Sequence, residues 1–449
     1  MKKIQRIFIV VLVLFLSVGV VLYFALNTPI VSRPFLRQFI QKNLKDYKVQ
    51  SLTLGRQQFV FPNVLVFRQL EVVMISKDPQ APQKTGKIKL NEAAIVRNNS
   101  KNFDIRLKGL KVKFAEAGIQ GADLQIQVNL KLEKIKGRVF VEKLGVGHYQ
   151  FADLWATFLA TPAQGFLKDI SFKGYDGELK GEMAWVKESS SVTRGKLDFQ
   201  GTNFVYQKRY KINQPSLKAA AIIERNKMKD LQGYLKVAQL TMGPAVMNNL
   251  VSNISGDETK VRLTNINADA YEGNITGEIL LEYQPPFLYS MALDVHQMSF
   301  RSLEGINSAV FSQFEGVLDG NIRVAGDQTK VRTIESEFSV PGGGKARAAL
   351  MAYLLQYVPE GTQQREMIDL LLSTDGKISA EEISLNLKNV ESNKISGIYK
   401  VYSKQLNLNV NQSFDLNLDG EVVSLIEAAS KIMDGLTALI NPSPRKEGL

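Results

Sequence analysis

Side chains able to carry out catalysis are scarce in this chain of 449 residues. The sequence contains no cysteine and two histidines, His148 and His296, which are far apart along the chain. Without cysteine there is no thiol nucleophile, thiolate metal site or disulfide, and two distant histidines give little material for a Ser-His-Asp triad or a histidine-rich metal site. We therefore expect a protein that is not an enzyme and that binds no cofactor or metal ion.

One glycine-rich segment has part of a phosphate-binding loop. Residues 342–345 (GGGK) place glycines before a lysine, but a P-loop requires the spacing Gly-x-x-x-x-Gly-Lys followed by Ser or Thr, whose hydroxyl binds magnesium. Ala346 occupies the position of that hydroxyl. We therefore expect no nucleotide binding at this segment.

The net charge favours an anionic partner. Lys and Arg number 56 against 44 Asp and Glu, which gives a formal charge of +12. This balance suits phospholipid headgroups or nucleic acid, although basic residues spread along a chain also occur simply on the solvated faces of strands. The densest basic stretch, residues 111–138, has Phe114 as its one aromatic residue. Proteins that bind single strands stack bases on several aromatic side chains, so we expect no nucleic-acid partner.

The first 26 residues predict a membrane anchor. Residues 1–6 are basic, and residues 7–26 form an uncharged, apolar run of 20 residues. At about 1.5 Å per residue such a helix is about 30 Å long, which matches the hydrocarbon core of a bilayer. A cleaved signal peptide is the alternative, but its apolar run is shorter and residues 24–27 (FALN) form a poor cleavage site. We expect one transmembrane helix with a cytoplasmic N-terminus and an exported body.

Residues 27–48 predict a short juxtamembrane helix, because the apolar residues of this segment recur at helical spacing. Such a helix either lies at the membrane interface or caps the sheet that follows. The sequence leaves both alternatives open.

From residue 49 to residue 340 the spacing of apolar residues changes to a period of two, with turn residues between the runs. Alternation of this kind gives a strand with one apolar and one polar face. We therefore predict a mainly β fold in which about 20 antiparallel strands form an elongated groove. The alternation changes phase at Gly109, which predicts a β-bulge or tight turn. The candidate residues for the lining of the groove are Leu124, Ile126, Val128, Leu130, Ile279 and Leu281.

The apolar faces of these strands must be covered by something. They can pack against one another as a core, or they can line an open trough that holds the acyl chains of phospholipids. Each buried methylene group contributes about 0.8 kcal/mol to such binding, with no chemical step needed. From the period of two alone, packing of the faces against one another as a core is the favoured alternative.

Two segments resemble the AsmA-like superfamily. After the predicted anchor and short helix, residues 52–55 (LTLG) and 61–66 (FPNVLV) resemble the start of AsmA-like proteins. Residues 314–324 (FEGVLDGNIRV), followed by 341–344 (PGGG), are similar to the C-terminal segment of the YdbH-like branch. The resemblance implies an anchor in the bacterial inner membrane, a repeating β-groove in the periplasm and a role in phospholipid transfer to the outer membrane.

Helical spacing returns near the C-terminus. Within residues 341–420, the segments 345–357 and 364–372 predict a helical pair accompanied by further strands. Residues 421–440 predict an amphipathic helix, and residues 441–449 a frayed tail. The apolar stripe of that helix is the candidate contact for an envelope protein partner or a second copy of the chain, through Leu425, Ile426, Ile432 and Leu436.

The sequence thus supports two functions of different classes. The first is binding and transfer of phospholipid by a single-pass inner-membrane protein whose body lies in the periplasm. The alternative is a non-catalytic adaptor for envelope assembly, which docks partner proteins by strand addition or through a helix. Phospholipid that copurifies with the chain would separate the first function from the second.

Overall fold

The computed structural model of the chain describes residues 47–60, 63–76, 85–99, 102–114, 117–129, 133–146, 149–206, 208, 210–225, 227–327, 329–347, 359–374, 376–391, 394–417 and 431–432. The predicted N-terminus 1–6, the transmembrane segment 7–26 and the tail 441–449 lie outside these residues. So do residues 27–46 of the juxtamembrane segment, whose predicted helix is wrong at its last two residues because Tyr47 and Lys48 belong to a β-strand. Among the helices of the described residues, none has the length and apolar character needed to span a membrane.

The chain divides into two compact units, Met1–Phe204 and Val205–Leu449. The division falls inside the predicted body of residues 49–340, at a place where the sequence has no linker rich in Pro, Ser or Gly. The described parts of both units consist mainly of antiparallel strands with few helices, so the prediction of a mainly β, antiparallel fold is confirmed.

The first unit is an antiparallel meander in which each strand from β1 to β9 pairs with the strand that follows it. The strands shorten along the chain, from 14 residues in the first to 10 in the last. They are β1 (Tyr47–Val60), β2 (Val64–Ser76), β3 (Thr85–Arg97), β4 (Asn102–Phe114), β5 (Ala117–Asn129), β6 (Ile135–Val146), β7 (Tyr149–Ala160), β8 (Gln164–Gly174), β9 (Gly177–Lys187) and β10 (Val192–Gly201). The short β11 (Asn203–Tyr206) lies at the division between the units.

The described part of the second unit contains a longer meander, a small three-stranded sheet, three short helices and two further helical residues, Lys431 and Ile432. The meander consists of β12 (Tyr210–Glu224), β13 (Lys227–Met242), β14 (Ala245–Gly256), β15 (Lys260–Ala270), β16 (Gly273–Glu282), β17 (Leu288–Ser299), β19 (Val317–Asp327), β20 (Val331–Ser339), β23 (Glu382–Glu391), β24 (Lys394–Ser403) and β25 (Leu408–Asn417), paired antiparallel in that order. The small sheet consists of β18 (Phe314–Glu315), β21 (Gly344–Arg347) and β22 (Lys377–Ala380). The helices are α1 (Phe300–Leu303), α2 (Ser308–Phe311) and α3 (Gln363–Ser373).

A bulge interrupts β4 at Gly109, as the change of phase in the sequence predicts. The φ angle of Gly109 is 64°, and the pairing with β5 shifts between Leu107 and Leu110. The N–H of Gly109 donates to Asp123 Oδ1 at 2.8 Å, and a Cβ atom on Gly109 would lie 2.2 Å from Asn91 Nδ2. Glycine is therefore required here by the backbone conformation and by a close neighbour.

An equivalent bulge lies in β17 of the second unit. Gln297 has a φ of 54°, and its N–H donates to Asp319 Oδ1 of β19 at 2.6 Å. Asp319 belongs to the segment that resembles the YdbH-like branch, residues 314–324. Its carboxylate therefore has a structural role, because it supplies the acceptor that the bulged backbone lacks.

Each unit has a densely buried apolar cluster at one end of its meander, and the second unit has a further, smaller cluster. In the first unit the cluster is centred on β2 to β4 and includes Met74 and Leu90. In the second unit it lies where the helices meet the last strands, and it includes Phe300 of α1, Ile368 of α3 and Ile378 of β22. These clusters supply the packed cores of the described parts of the two units.

The helix expected at residues 345–357 is wrong at its start. Residues 345–347 belong to β21, where Ala346 is opposite Phe314 of β18 and Ile378 of β22 and is fully buried. Helix propensity is weak compared with tertiary pairing, so a helix-forming composition can be overridden in this way. Residues 348–358 lie outside the described part of the chain.

The second predicted helix, at residues 364–372, is confirmed by α3. Thr362 is its N-cap, with Oγ1 accepting from Arg365 N at 3.3 Å. Of the predicted helix 421–440 the structure describes two helical residues, Lys431 and Ile432. Ile432 is half-buried and packs against a small cluster of the second unit. The other partner-contact candidates, Leu425, Ile426 and Leu436, lie outside the described residues.

Candidate functional site

The predicted lining residues of the first unit lie together on the apolar face of β5. Leu124 is opposite Leu107 of β4 and Val139 of β6, and Ile126 and Val128 follow on the same face. Ile126 is buried, whereas Leu124 and Val128 are half-buried. The fourth candidate of this strand, Leu130, lies outside the described residues. A shared apolar face is therefore present, and its role as a lining stays a prediction.

The two candidates of the second unit lie on the apolar face of β16. Ile279 is opposite Leu263 of β15 and Met291 of β17. Leu281 is opposite Val261 of β15, and both candidates are half-buried. The six predicted residues thus belong to two apolar faces, one in each unit.

Burial of the apolar face differs sharply along the first unit. On β2 to β4, which we call the closed region, Val72 and Met74 are 0% exposed and Leu90 is 2% exposed. Side chains buried to this degree leave no room for a ligand among them. The buried apolar residues of the closed region are Leu65, Phe67, Leu70, Val72, Met74, Ile88, Leu90, Ala93, Ile95, Ile105, Leu107, Leu110 and Val112.

The same face is more accessible on β7 to β10, which we call the half-open region. Apart from the buried Ala156 and Ile170, the apolar side chains of this face are half-buried. Solvent or a ligand can therefore reach an apolar surface that runs across four strands. These half-buried residues include Leu154, Phe158, Leu167, Phe172, Leu179, Met183, Leu197 and Phe199.

The second unit has a comparable accessible face on β12 to β16. Val237 is the one large apolar residue of β12 to β14 that is buried, at 6% exposed. Its neighbours on the same face are half-buried, in contrast to the helix-covered cluster at the other end of the unit. They include Ile212, Leu217, Leu235, Leu240, Ile254, Leu263, Ile279 and Leu281.

Aromatic rings lie over glycines on these accessible faces. Phe199 is opposite Gly181, and a Cβ atom on Gly181 would lie 2.4 Å from the ring carbon Cδ1 of Phe199. Phe158 covers Gly137 in the same manner, with 2.7 Å to Cζ. The ring fills the space above the glycine and so lies along the sheet, which gives the face a low, apolar surface. Trp185 on Gly165 is a further pair of the half-open region, and two similar pairs, Phe338 on Gly320 and Phe414 on Gly397, occur outside the two accessible faces.

Sequence reasoning missed these ring and glycine pairs, although a signal for them exists. Gly137 and Gly181 occupy positions where the alternation demands an apolar side chain. A glycine at such a position, with an aromatic residue at the matching position of the next strand, predicts the pair once the register is known. The register depends on the hairpin turns and bulges, which the alternation alone does not fix.

Ionisable residues do not converge into a reactive site within the described residues. His296 is exposed and its Nε2 lies 3.4 Å from Thr276 Oγ1. Asp269 Oδ2 accepts from Asn249 Nδ2 at 2.8 Å on the polar face. No group of His, Cys, Asp and Glu suited to holding a metal ion occurs among the described residues, and His148 lies outside them.

Comparison of the chain with models of protein families and with curated proteins found no match. The accessible apolar faces are therefore the features of the described chain on which a functional assignment can be based.

Proposed function

We propose that this chain is a membrane-anchored periplasmic protein of the AsmA-like type, which binds the acyl chains of phospholipid and supports phospholipid transfer between the inner and outer membranes. The binding surfaces are two: the apolar face of the first unit, from the half-buried Leu124 and Val128 of β5 through the half-open region, and the face of β12 to β16 in the second unit. The protein needs no catalytic step for this function. Its predicted anchor, residues 7–26, holds it at the membrane from which the lipid comes.

The observation that carries the proposal is the incomplete burial of apolar side chains across neighbouring strands. Soluble proteins rarely leave large contiguous apolar patches open to water, because each exposed methylene costs about 0.8 kcal/mol. Acyl chains on Leu154, Leu179 and Met183, which are half-buried, would recover that free energy. A flexible acyl chain suits a low, elongated apolar surface better than a rigid polar ligand does.

The positive charge of the chain also supports a phospholipid ligand. A formal charge of +12 attracts the anionic surface of a membrane, and this attraction operates over the distance of a Debye length, about 8 Å at physiological salt. Acyl chains would contact the apolar faces, while headgroups would stay in water with the basic residues of the polar faces.

The alternative function is a non-catalytic adaptor for envelope assembly. Among the described residues, β1 pairs with β2 alone and β25 pairs with β24 alone. A strand with one free edge can accept a strand of a partner protein. An adaptor of this kind would need no lipid on its apolar faces.

The test is to purify the full chain in detergent and to measure bound phospholipid and its transfer between vesicles. Val128→Asp places a charge on the apolar face and should strongly reduce both readouts. Gln127→Asp is the matched control, because Gln127 is equally half-buried and faces Lys136 on the polar side. Equal losses in the two variants, or absence of phospholipid from the wild-type chain, would favour the adaptor.

A further inference from the structure

A concave cavity of about 1080 Å³ lies on the first unit, at the ends of strands β3 to β9. Its lining contains six lysines and two carboxylates, Asp176 and Glu178. We call this cavity the lysine basin. Its lysines are Lys87 and Lys89 of β3, Lys111 and Lys113 of β4, Lys143 of β6 and Lys173 of β8.

The strand register places the basin lysines on the polar face of the sheet. Lys87 is opposite Lys113 and Lys89 is opposite Lys111. Between them in β3, Ile88 is 1% exposed and belongs to the buried cluster of the apolar face. Because successive side chains of a strand point to opposite faces, the lysines lie on the other side of the sheet from that cluster. The basin is therefore a different site from the proposed lipid-binding face.

Small residues form the floor of the basin. Gly118 of β5 is opposite Gly145 of β6, and both line the cavity. Ala152 of β7 lies between Lys143 and Lys173 in the register. The absence of large side chains at these three positions leaves open space between the lysines of β3 and β4 and those of β6 and β8.

Half of the lysines are held by carboxylates. Glu71 of β2 lies 2.6 Å from Lys87 Nζ and 3.3 Å from Lys89 Nζ. The hydrogen bond from Lys87 lowers the pKa of Glu71, and the same contact raises the pKa of Lys87. Lys173 Nζ lies 3.0 Å from Asp153 Oδ2, and this contact raises the pKa of Lys173. These ion pairs lie at the rim of the basin.

The other three lysines of the basin are not paired with a carboxylate of the described residues. Within the part of the chain that the structure describes, Lys111, Lys113 and Lys143 form no ion pair, and all three are exposed. Ammonium groups that share a concave site repel one another, and a concave surface concentrates their field. A bound anion would remove that repulsion. Lysine ammonium groups donate to phosphate oxygens in many orientations, because they act as compact point charges.

We propose that the lysine basin binds the phosphate groups of an anionic ligand, through Lys111, Lys113 and Lys143 with Lys87, Lys89 and Lys173 at its rim. Its volume exceeds that of one phosphate, so it suits a ligand with several phosphates or neighbouring phosphate-bearing headgroups. Two kinds of ligand carry such phosphate groups: a free polyphosphate, and the headgroups of anionic phospholipid. The proposal does not depend on the function of the apolar faces.

The first arm of the test uses inorganic tripolyphosphate and the full chain in neutral detergent. The triple variant Lys111→Gln, Lys113→Gln, Lys143→Gln should bind tripolyphosphate about tenfold more weakly in calorimetry, because three charged donors are lost. The control, Lys134→Gln, Lys136→Gln, Lys196→Gln, has the same net charge but changes exposed lysines of the same unit that do not line the basin. It should retain the wild-type affinity. Equal melting temperatures of the two variants show that both remain folded.

The second arm separates the two sources of phosphate by native mass spectrometry with added phosphatidylglycerol or phosphatidylcholine. If headgroups occupy the basin, retention of phosphatidylglycerol falls in the basin variant alone, and retention of phosphatidylcholine does not change. If a free polyphosphate is the ligand, tripolyphosphate binding falls and both lipids are retained as in the wild type. The proposal is overturned if the wild type binds neither anion, or if the basin and control variants lose binding equally.

Discussion

The closed and half-open regions of the first unit have the same alternation in sequence and different burial in the structure. In β3 of the closed region, Ile88 and Leu90 are almost fully buried between exposed lysines. In β9 of the half-open region, Leu179 and Met183 alternate with charged residues just as regularly, yet they are half-buried. Alternation reflects the pleat of the backbone, whereas coverage of a face depends on what packs against it. The period of two therefore predicts which residues share an apolar face, but it does not predict whether other side chains cover that face.

Two local features accompany the change from closed to half-open. The strands shorten from 13 residues in β3 and β4 to 10 in β10. Glycines covered by rings, such as Gly181 beneath Phe199, appear on the apolar face of the half-open region. Shorter strands and low rings reduce the apolar volume that one side of the sheet can offer for self-packing, which fits an incompletely filled face.

The largest effect is expected from truncating a leucine in each region. Leu90→Ala in the closed region should lower the free energy of unfolding by about 3 kcal/mol, because it removes buried methylene groups and leaves a cavity. Leu197→Ala in the half-open region should cost about 1 kcal/mol, since its side chain is already partly in water. Denaturant titration of the full chain followed by circular dichroism measures the difference.

If Leu90→Ala and Leu197→Ala lower the free energy of unfolding equally, the closed and half-open regions do not differ in how tightly their apolar faces are packed. A larger cost at Leu197 would mean that its face is filled in solution, and the proposed lipid surface on β10 would then have to be abandoned. Addition of phospholipid sharpens the comparison, because a ligand that binds the native state raises stability. It should stabilise the wild-type chain more than Leu197→Ala and should stabilise Leu90→Ala as much as the wild type.

The second-largest effect is expected from replacing glycine by alanine at two positions that differ in backbone conformation. Gly109→Ala should lower the free energy of unfolding by roughly 1–3 kcal/mol, because a positive φ is costly for alanine and the new Cβ collides with Asn91. Gly145→Ala should be nearly neutral, since the nearest atom to its added Cβ is Gly118 O at 4.0 Å. The same denaturant titration tests both variants, and a large cost at Gly145 would show that the floor of the lysine basin is more tightly packed than described.

Prediction from the sequence succeeded where local physics decides the outcome. The alternation predicts the apolar face that carries Leu124 and Ile126, and the change of phase predicts the bulge at Gly109. Helical spacing predicts the helix at residues 364–372, which α3 confirms. Each of these depends on residues within one strand or helix and its immediate neighbours.

The sequence did not predict features that depend on contacts between residues far apart along the chain. Residues 345–347 pair with β18 and β22, and this pairing overrides a helix-forming composition. The division at Phe204 has no compositional linker to reveal it. The lysine basin brings together β3, β4, β6 and β8, whose lysines look like ordinary solvated positions when each strand is taken alone. Because the sequence does not give the register of the strands, it does not show that Gly118 is opposite Gly145 or that three lysines share one cavity.

The smallest expected effect compares two hairpin turns of the second unit whose sequences differ at one position. Residues 256–262 (GDETKVR) join β14 to β15, and residues 326–332 (GDQTKVR) join β19 to β20. In the first turn Asp257 Oδ1 accepts from Thr259 N at 2.7 Å, and in the second Asp327 Oδ1 accepts from Thr329 N at the same distance. Arg332 adds a contact to Asp327 Oδ2 at 2.8 Å, whereas no such ion pair to Asp257 occurs among the described residues.

The threonine hydroxyl in each turn lowers the pKa of the aspartate, and the hydrogen bond from Arg332 lowers that of Asp327 further, well below its ordinary value of 3.8. A depressed pKa in the folded state means that the contribution to stability is complete above pH 3.8 and is lost as the pH falls through the folded pKa. Asp327→Asn should therefore lower the melting temperature at pH 7 slightly more than Asp257→Asn. For each variant, the difference in melting temperature from the wild type should become smaller below pH 3.8. Melting curves of the full chain from pH 7 to pH 3 measure this, and differences that grow on acidification would show that the turn carboxylates do not act through their ionised form.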